Sequence, residues 1–200
     1  AHADRCGFLW GQDPPHMKLA ECDFLILPGL GGSKPGHWQL RWAERMGNAA
    51  IVEQADWFEP ELNDWVDTLD QAARLTSRPV VLVAHSLSCI AVAQAGPRLP
   101  SNVRGAFLVA PPDIELSPAA PEETFGFRPI SRDPLPFPSL LVASNNDPLC
   151  SIDRAVEFAT CWGSDFHQAG DAGHINVDSG HGPWPEGLLM FTRLMQRLTT

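Results

Sequence analysis

This 200-residue sequence lacks three features that would place it in a membrane, on a nucleic acid or in the secretory pathway. No apolar run approaches the roughly 18 residues that a membrane-spanning helix needs. Lys and Arg number 14 against 24 Asp and Glu, and the formal net charge of −10 disfavours nucleic acid and anionic membrane surfaces as partners. Residues 1–16 have neither the basic start nor the apolar core of a secretory signal. We therefore expect a cytoplasmic protein that binds neither nucleic acid nor a membrane surface.

The cysteine pattern contains no C-x-x-C pair and no zinc-finger spacing. The five cysteines are odd in number and scattered along the chain: Cys6, Cys22, Cys89, Cys150 and Cys161. This pattern is typical of reduced thiols in a cytosolic protein.

The length fits one domain, and a hydrophobic fraction of 44% is enough for a sizeable core. Residues 1–16 show no clear periodicity. We interpret them as a tail, from a tag or a start-site extension, and residues 17–200 as a single domain.

Short β-rich segments alternate with amphipathic stretches along that domain. The predicted strands are 24–27, 50–52, 80–84, 105–109, 139–143 and a short one around Phe166. The predicted helices are 38–46, 62–73, one from about Ser86 to Gly96, 152–161 and a last one with Leu188, Phe191, Met195 and Leu198 on one face. Alternation without hairpin signals predicts a compact, doubly wound α/β fold, a mostly parallel six-stranded sheet with helices on both faces. In such sheets, ligands bind beyond the carboxyl ends of the strands.

Residues 111–138 interrupt this alternation, because they contain eight prolines and no helical period. We predict an irregular excursion that covers the site. Its phenylalanines, Phe125, Phe127 and Phe137, are candidates for lining an acyl pocket, and the alternative is an exposed loop with a few anchoring aromatics.

The segment VVLVAHSLS at 80–88 carries the strongest functional signal. A buried strand runs directly into Ser86, and a helix of small residues leaves it, which is the setting of a nucleophile elbow. The usual pattern is G-x-S-x-G, whereas Ala84 and Ser88 flank the serine here; both are small enough for the close strand–helix approach. The alternative is a serine that only caps the helix.

A nucleophilic serine needs a base, and seven histidines compete for that role. His2 and His16 lie in the tail, His167 falls within a strand, and His181 lies too far along. His174 follows the strand around Phe166 in a glycine-containing loop, where this architecture places its base.

His37 and His85 remain as candidates for the substrate pocket. His85 is the direct neighbour of the nucleophile, and because adjacent side chains diverge on a tight turn, that position favours a structural role for it.

The carboxylate that orients the base should follow the preceding strand, and Asp147 in SNNDP does so. The resulting chain order Ser, Asp, His is that of α/β-hydrolases. Three partners after three suitable strands are harder to obtain by chance than one. An Asp-Pro turn alone is the alternative for Asp147.

Two backbone amides are predicted to form the oxyanion hole. One belongs to Leu87, directly after the nucleophile, and the other to Leu30 in the glycine-rich loop 28–32. That loop could suggest a phosphate cradle, but neither G-x-G-x-x-G nor a P-loop sequence occurs. We expect no cofactor.

A metal site is a further alternative, because His167, His174 and His181 recur every seven residues. Their spacing matches no recognised ligand motif. We expect no metal.

With these residues in place, the sequence resembles the retinoblastoma-binding-protein-9-like (YdeN-type) serine hydrolases of the α/β-hydrolase superfamily. The matching segments are LPGLGGSKPGHW at 27–38, AHSLSC at 84–89, SNNDPLCS at 144–151 and GHINVDSGHGPWPEG at 173–187. The resemblance implies a six-stranded α/β-hydrolase without a large cap domain, with Ser86 as nucleophile, Asp147 as acid and His174 as base. Many relatives have glycine at positions 84 and 88.

The predicted reaction is hydrolysis of small or medium carboxylic esters, or of amides, through an acyl-enzyme. A catalytically silent binding protein on the same scaffold is the alternative from another class. A metal-dependent hydrolase is a third hypothesis. The sequence does not indicate an oligomeric state.

Overall fold

The structure, a computed structural model, describes residues 17–198. The predicted tail at 1–16 lies outside the described residues. In the described part of the chain, no helix is long and apolar enough to cross a membrane.

Six strands form one sheet in the order β2-β1-β3-β4-β5-β6, and every neighbouring pair is parallel. The strands are β1 (Asp23–Leu27), β2 (Ala49–Ile51), β3 (Val80–His85), β4 (Val103–Val109), β5 (Ser139–Ala143) and β6 (Asp165–Gln168). The predicted α/β class is confirmed, and all of the pairs, rather than most of them, are parallel.

Five α-helices connect and cover the strands. They are α1 (Trp38–Arg45), α2 (Leu62–Leu75), α3 (Leu87–Ala95), α4 (Ile152–Trp162) and α5 (Pro185–Met195). Apolar residues of α1 and α5 pack on one face of the sheet, and those of α2, α3 and α4 pack on the other. Side chains of a strand alternate between faces, so Phe24 and Ile26 of β1 join the first core and Leu25 and Leu27 the second. Strand β3, in the centre, is buried along its whole length.

The prediction of which residues of the last helix face the core is wrong in part. Leu188 is exposed, and the buried face instead carries Met190, Phe191, Leu194 and Met195. Leu198 is buried but lies beyond the end of α5 at Met195. The apolar residues at 188–191 are consecutive and so allow either face of the helix to be buried, and only packing against the sheet selects one.

The strand order reverses direction at β1, because β2 lies on one side of it and β3 on the other. The loops that leave β1 and β3 therefore diverge and open a crevice at the carboxyl edge of the sheet. Ser86 follows β3, and the glycine-rich loop 28–32 follows β1, so both lie at this crevice.

Candidate active site

Ser86 occupies a strained turn between β3 and α3. Its backbone angles are φ 55° and ψ −127°, in a region that residues other than glycine rarely adopt. The turn is held by the Ser86 amide, which donates to the carbonyl of Val109 at 2.9 Å. The Ser86 side chain makes no capping bond to α3, so the helix-cap alternative does not describe its contact.

The Ser86 hydroxyl instead contacts His174, and the His174 ring in turn contacts Asp147. His174 Nε2 lies 2.8 Å from Ser86 Oγ. On the other side of the ring, Nδ1 lies 2.8 Å and 3.1 Å from the two oxygens of Asp147. The carboxylate accepts from Nδ1, which leaves Nε2 as the acceptor for the serine proton. The three residues that the sequence singled out are therefore brought together in one hydrogen-bonded line.

The loop that carries His174 depends on glycine and on left-handed backbone. Gly173 has φ 57°, and a Cβ there would lie 2.6 Å from Cβ of Ser179. Ile175 on the other side of the histidine has φ 49° and is fully buried. Its carbonyl accepts from the indole of Trp38 at 3.0 Å. The histidine is thus presented from a loop that is fixed at both flanks.

Polar side chains after β5 connect the Asp147 loop to the His174 loop. Ser144 Oγ accepts from the amide of Ala172 at 2.9 Å, and Asn146 Oδ1 accepts from the amide of Gly173 at 2.7 Å. Sequence reasoning did not assign these two side chains a role. The run of short polar residues in SNND was the available signal, because such residues bond neighbouring backbone in turns.

Gln39 is a second residue that the sequence analysis missed. Its side-chain amide donates to the carbonyls of Leu27 and Val83 at 3.0 Å each, near the carboxyl ends of β1 and β3. The residue is fully buried. It therefore holds together the two strands between which the crevice opens.

The loop after β1 lies against the nucleophile. A Cβ at Gly29 would stand 2.8 Å from Cβ of Ser86, so only glycine fits there. The next residue, Leu30, lines the same cavity as Ser86. Within the described chain, the backbone amide of Leu30 has no backbone acceptor, and Leu87 is the first residue of α3, where an amide has no acceptor within the helix. Both predicted oxyanion donors are accordingly free to bind a ligand.

The cavity at Ser86 is about 110 Å³, well below the usual range for drug-sized ligands. Lys34 and Asp178 line its outer part and form an ion pair of 2.6 Å. His37 and His85, the two histidines predicted for the substrate pocket, also line the cavity. Burial lowers the pKa of His37 to about 4 and that of His85 well below its usual range, so both rings are neutral near pH 7.

The three phenylalanines proposed for the acyl pocket do not line this cavity, and that part of the prediction is corrected. Phe127 is fully buried and packs edge-on against Trp65 of α2. Phe137 precedes β5 and so lies at the opposite, amino-terminal edge of the sheet. Phe125 is partly exposed beneath the guanidinium of Arg128. Aromatic residues in an aperiodic segment gave no indication of which edge they would reach.

The histidines of the seven-residue repeat do not converge. His167 lies in β6, His181 contacts Ser179 through Nδ1 at 3.2 Å, and His174 faces Ser86. Among residues 17–198, no three His, Cys, Asp or Glu side chains are grouped to hold a metal ion.

The fold and this constellation define the α/β-hydrolase class. The serine hydrolase family model matches residues 24–193, and the chain belongs to that family. No protein of curated function matches the sequence at a significant level.

Solved structures agree with this assignment. A YdeN-like hydrolase from Pectobacterium atrosepticum is 31% identical, with a TM-score of 0.77 over 88% of this chain and 91% of that one. The ydeN gene product of Bacillus subtilis is 19% identical, with a TM-score of 0.71 over 88% and 99% of the two chains. A thioesterase of the prodiginine pathway in Streptomyces coelicolor is 14% identical, with a TM-score of 0.61 over 94% and 97%. The predicted resemblance to YdeN-type hydrolases is confirmed, while its retinoblastoma-binding branch stays a prediction.

Proposed function

We propose that this serine hydrolase cleaves short carboxylic esters, with Ser86 as nucleophile, His174 as general base and Asp147 as the carboxylate that orients the base. The observation that carries the proposal is the 2.8 Å contact between Ser86 Oγ and His174 Nε2, with Asp147 at 2.8 Å from Nδ1. Amides are the alternative substrates.

In the first half-reaction, Ser86 Oγ attacks the ester carbonyl while His174 Nε2 takes the hydroxyl proton. The negative charge that develops on the carbonyl oxygen is bound by the amides of Leu30 and Leu87, a type of contact worth about 3 kcal/mol per donor. Collapse of the tetrahedral intermediate breaks the bond to the alcohol. His174 gives its proton to the leaving oxygen, and the acyl group remains on Ser86.

In the second half-reaction, water replaces the alcohol. His174 takes a proton from the water, whose oxygen attacks the acyl carbonyl, and then returns a proton to Ser86. The products are a carboxylic acid and the free enzyme.

The substrate is inferred to be small. The cavity of about 110 Å³ has room for a short acyl group, and the exposed Lys34–Asp178 ion pair forms part of its lining. This supports acetyl to butyryl esters over long-chain esters.

Hydrolysis of p-nitrophenyl acetate, butyrate and octanoate by the wild type and by Ser86→Ala tests the proposal. We expect turnover that falls with chain length and that Ser86→Ala abolishes. A folded wild-type protein that hydrolyses none of the esters would instead favour a binding protein on a hydrolase scaffold. Equal activity of wild type and Ser86→Ala would remove Ser86 from the mechanism.

A further inference from the structure

Two neutral imidazoles, His37 and His85, form a wall of the cavity beside Ser86. Their ring centres are 4.9 Å apart and their planes meet at 66°, and no hydrogen bond joins them. Each ring has one nitrogen engaged by the backbone, which determines what the other nitrogen can do.

The backbone fixes the tautomer of His85. Its Nε2 lies 2.9 Å from the carbonyl oxygen of His174. A carbonyl oxygen can only accept, so Nε2 carries the hydrogen. In a neutral ring, Nδ1 of His85 is then a bare acceptor.

His37 also carries its hydrogen on Nε2, but here it is Nδ1 that contacts the backbone, and it does so as an acceptor. As the residue before α1, it accepts the amide hydrogen of Gln39 through Nδ1 at 3.2 Å. An accepting Nδ1 leaves the hydrogen of the neutral ring on Nε2. Nε2 of His37 is therefore a donor.

Both remaining nitrogens are without a partner, although His37 is only 3% exposed and His85 6%. In residues 17–198, the side-chain polar atoms that are sealed from solvent and unpaired belong to Gln54 and Asp70 alone. The two imidazole nitrogens are therefore not sealed from solvent, and both residues line the cavity at Ser86. Two neighbouring rings at the wall of this cavity thus have one donor and one acceptor without a protein partner.

We propose that this pair binds a hydroxyl or primary carboxamide group on the acyl part of the substrate. Its oxygen accepts from His37 Nε2, and its hydrogen is donated to His85 Nδ1. The inference rests on the proposed ester hydrolysis and narrows its substrate class from plain short acyl groups to polar ones.

Other acyl groups fit the pair less well. An alkyl group of the same size leaves a buried donor and a buried acceptor unpaired, which is costly. A carboxylate can accept from His37 but has no hydrogen to donate to His85. Its oxygen and Nδ1 of His85 would both be acceptors, and their lone pairs would repel each other. A hydroxyl and a carboxamide each satisfy both rings.

The test compares p-nitrophenyl 3-hydroxybutyrate with p-nitrophenyl 3-methylbutyrate, which differ only by a hydroxyl in place of a methyl group. For the wild type we expect kcat/KM to be about tenfold or more higher for the hydroxyl ester. His37→Asn retains a capping acceptor for α1 but removes the Nε2 donor. We expect this variant to bring the ratio of the two kcat/KM values close to one. His167→Asn, a histidine of β6 outside the cavity, is the matched control and should keep the wild-type ratio.

The outcomes separate this inference from the proposed function. If the wild type hydrolyses both esters with equal kcat/KM, the inference is overturned and ester hydrolysis stands. If the wild type prefers the hydroxyl ester but His37→Asn prefers it equally, the assignment to His37 is overturned. If the wild type hydrolyses neither ester and Ser86→Ala is indistinguishable from it, the proposed function fails and the inference fails with it.

Discussion

The Ser88 hydroxyl donates a 2.5 Å hydrogen bond to the carbonyl oxygen of Pro28. Ser88 lies two residues after Ser86, at the position where the usual nucleophile-elbow pattern has glycine. The residue is 2% exposed, so water does not compete for this bond. The bond joins the first turn of α3 to the loop that carries Leu30. The side chain that interrupts the pattern thereby connects the two proposed oxyanion donors, Leu30 and Leu87.

We predict that Ser88→Ala lowers kcat about tenfold with little change in KM, because the loop that presents Leu30 loses its attachment beside Ser86. The free energy of unfolding should fall by about 1–2 kcal/mol, since a buried carbonyl is left unpaired. Ser139→Ala is the matched control: Ser139 is equally buried and bonds Ser164 at 2.6 Å, at the far edge of the sheet. It should lose stability without losing kcat. A Ser88→Ala enzyme with wild-type kcat would contradict this role.

Gly29 offers a second test of the same contact. We predict that Gly29→Ala lowers kcat by more than about tenfold, because the new Cβ would stand 2.8 Å from Cβ of Ser86 and must displace the nucleophile or the loop. Gly47→Ala is the control, since a Cβ at that position meets no atom within 4 Å. Steady-state kinetics on p-nitrophenyl acetate measure the difference. Equal kcat in the two variants would show that the close approach is not required.

The stability of the protein should depend on pH through His37. Burial lowers its pKa from 6.5 to about 4, so the unfolded chain binds a proton at a higher pH than the folded protein does. The contribution of His37 to the free energy of unfolding, roughly 3 kcal/mol, is therefore fully present above pH 6.5. It is lost progressively as the pH falls from 6.5 to 4. Urea unfolding at pH 7 and pH 4.5 measures the loss. His37→Asn should lose less between the two pH values, and an identical loss would refute the assignment.

An ion-pair network anchors the start of the irregular segment 111–138. Asp113 is 3% exposed and receives two hydrogen bonds from Arg154 of α4, at 2.8 Å and 3.1 Å. We predict that Arg154→Ala lowers the free energy of unfolding by about 3 kcal/mol, because it leaves the buried carboxylate uncompensated. Arg98→Ala removes an exposed pair with Asp67 and should change it by less than about 1 kcal/mol. Equal effects in urea unfolding would contradict the argument.

The sequence predicted the elements that carry the site, because local signals specify them. Strand β3 (Val80–His85) ends directly before Ser86, and the other two site residues, Asp147 and His174, also follow strands. Parallel strands bring their carboxyl ends to one edge, so residues far apart in the chain could be placed together without knowledge of packing.

The segment 111–138 could not be placed in the same way. Its position is fixed by long-range contacts, such as Asp113 with Arg154 and Phe127 with Trp65. The periodicity of the local sequence does not predict such contacts. The phenylalanines were therefore assigned to the wrong surroundings. The tautomers of His37 and His85 could not be predicted from the sequence either, because they depend on contacts with backbone atoms of Gln39 and His174.

The most direct test of the proposed catalytic triad is to locate the adduct that a fluorophosphonate forms on the folded protein, by mass spectrometry of its peptides. We predict one phosphonyl group per chain, attached to Ser86, and loss of labelling in His174→Ala because the hydroxyl is then no longer activated. An unlabelled wild-type protein, or an adduct on another serine such as Ser88, would contradict the central claim that Ser86 is the nucleophile.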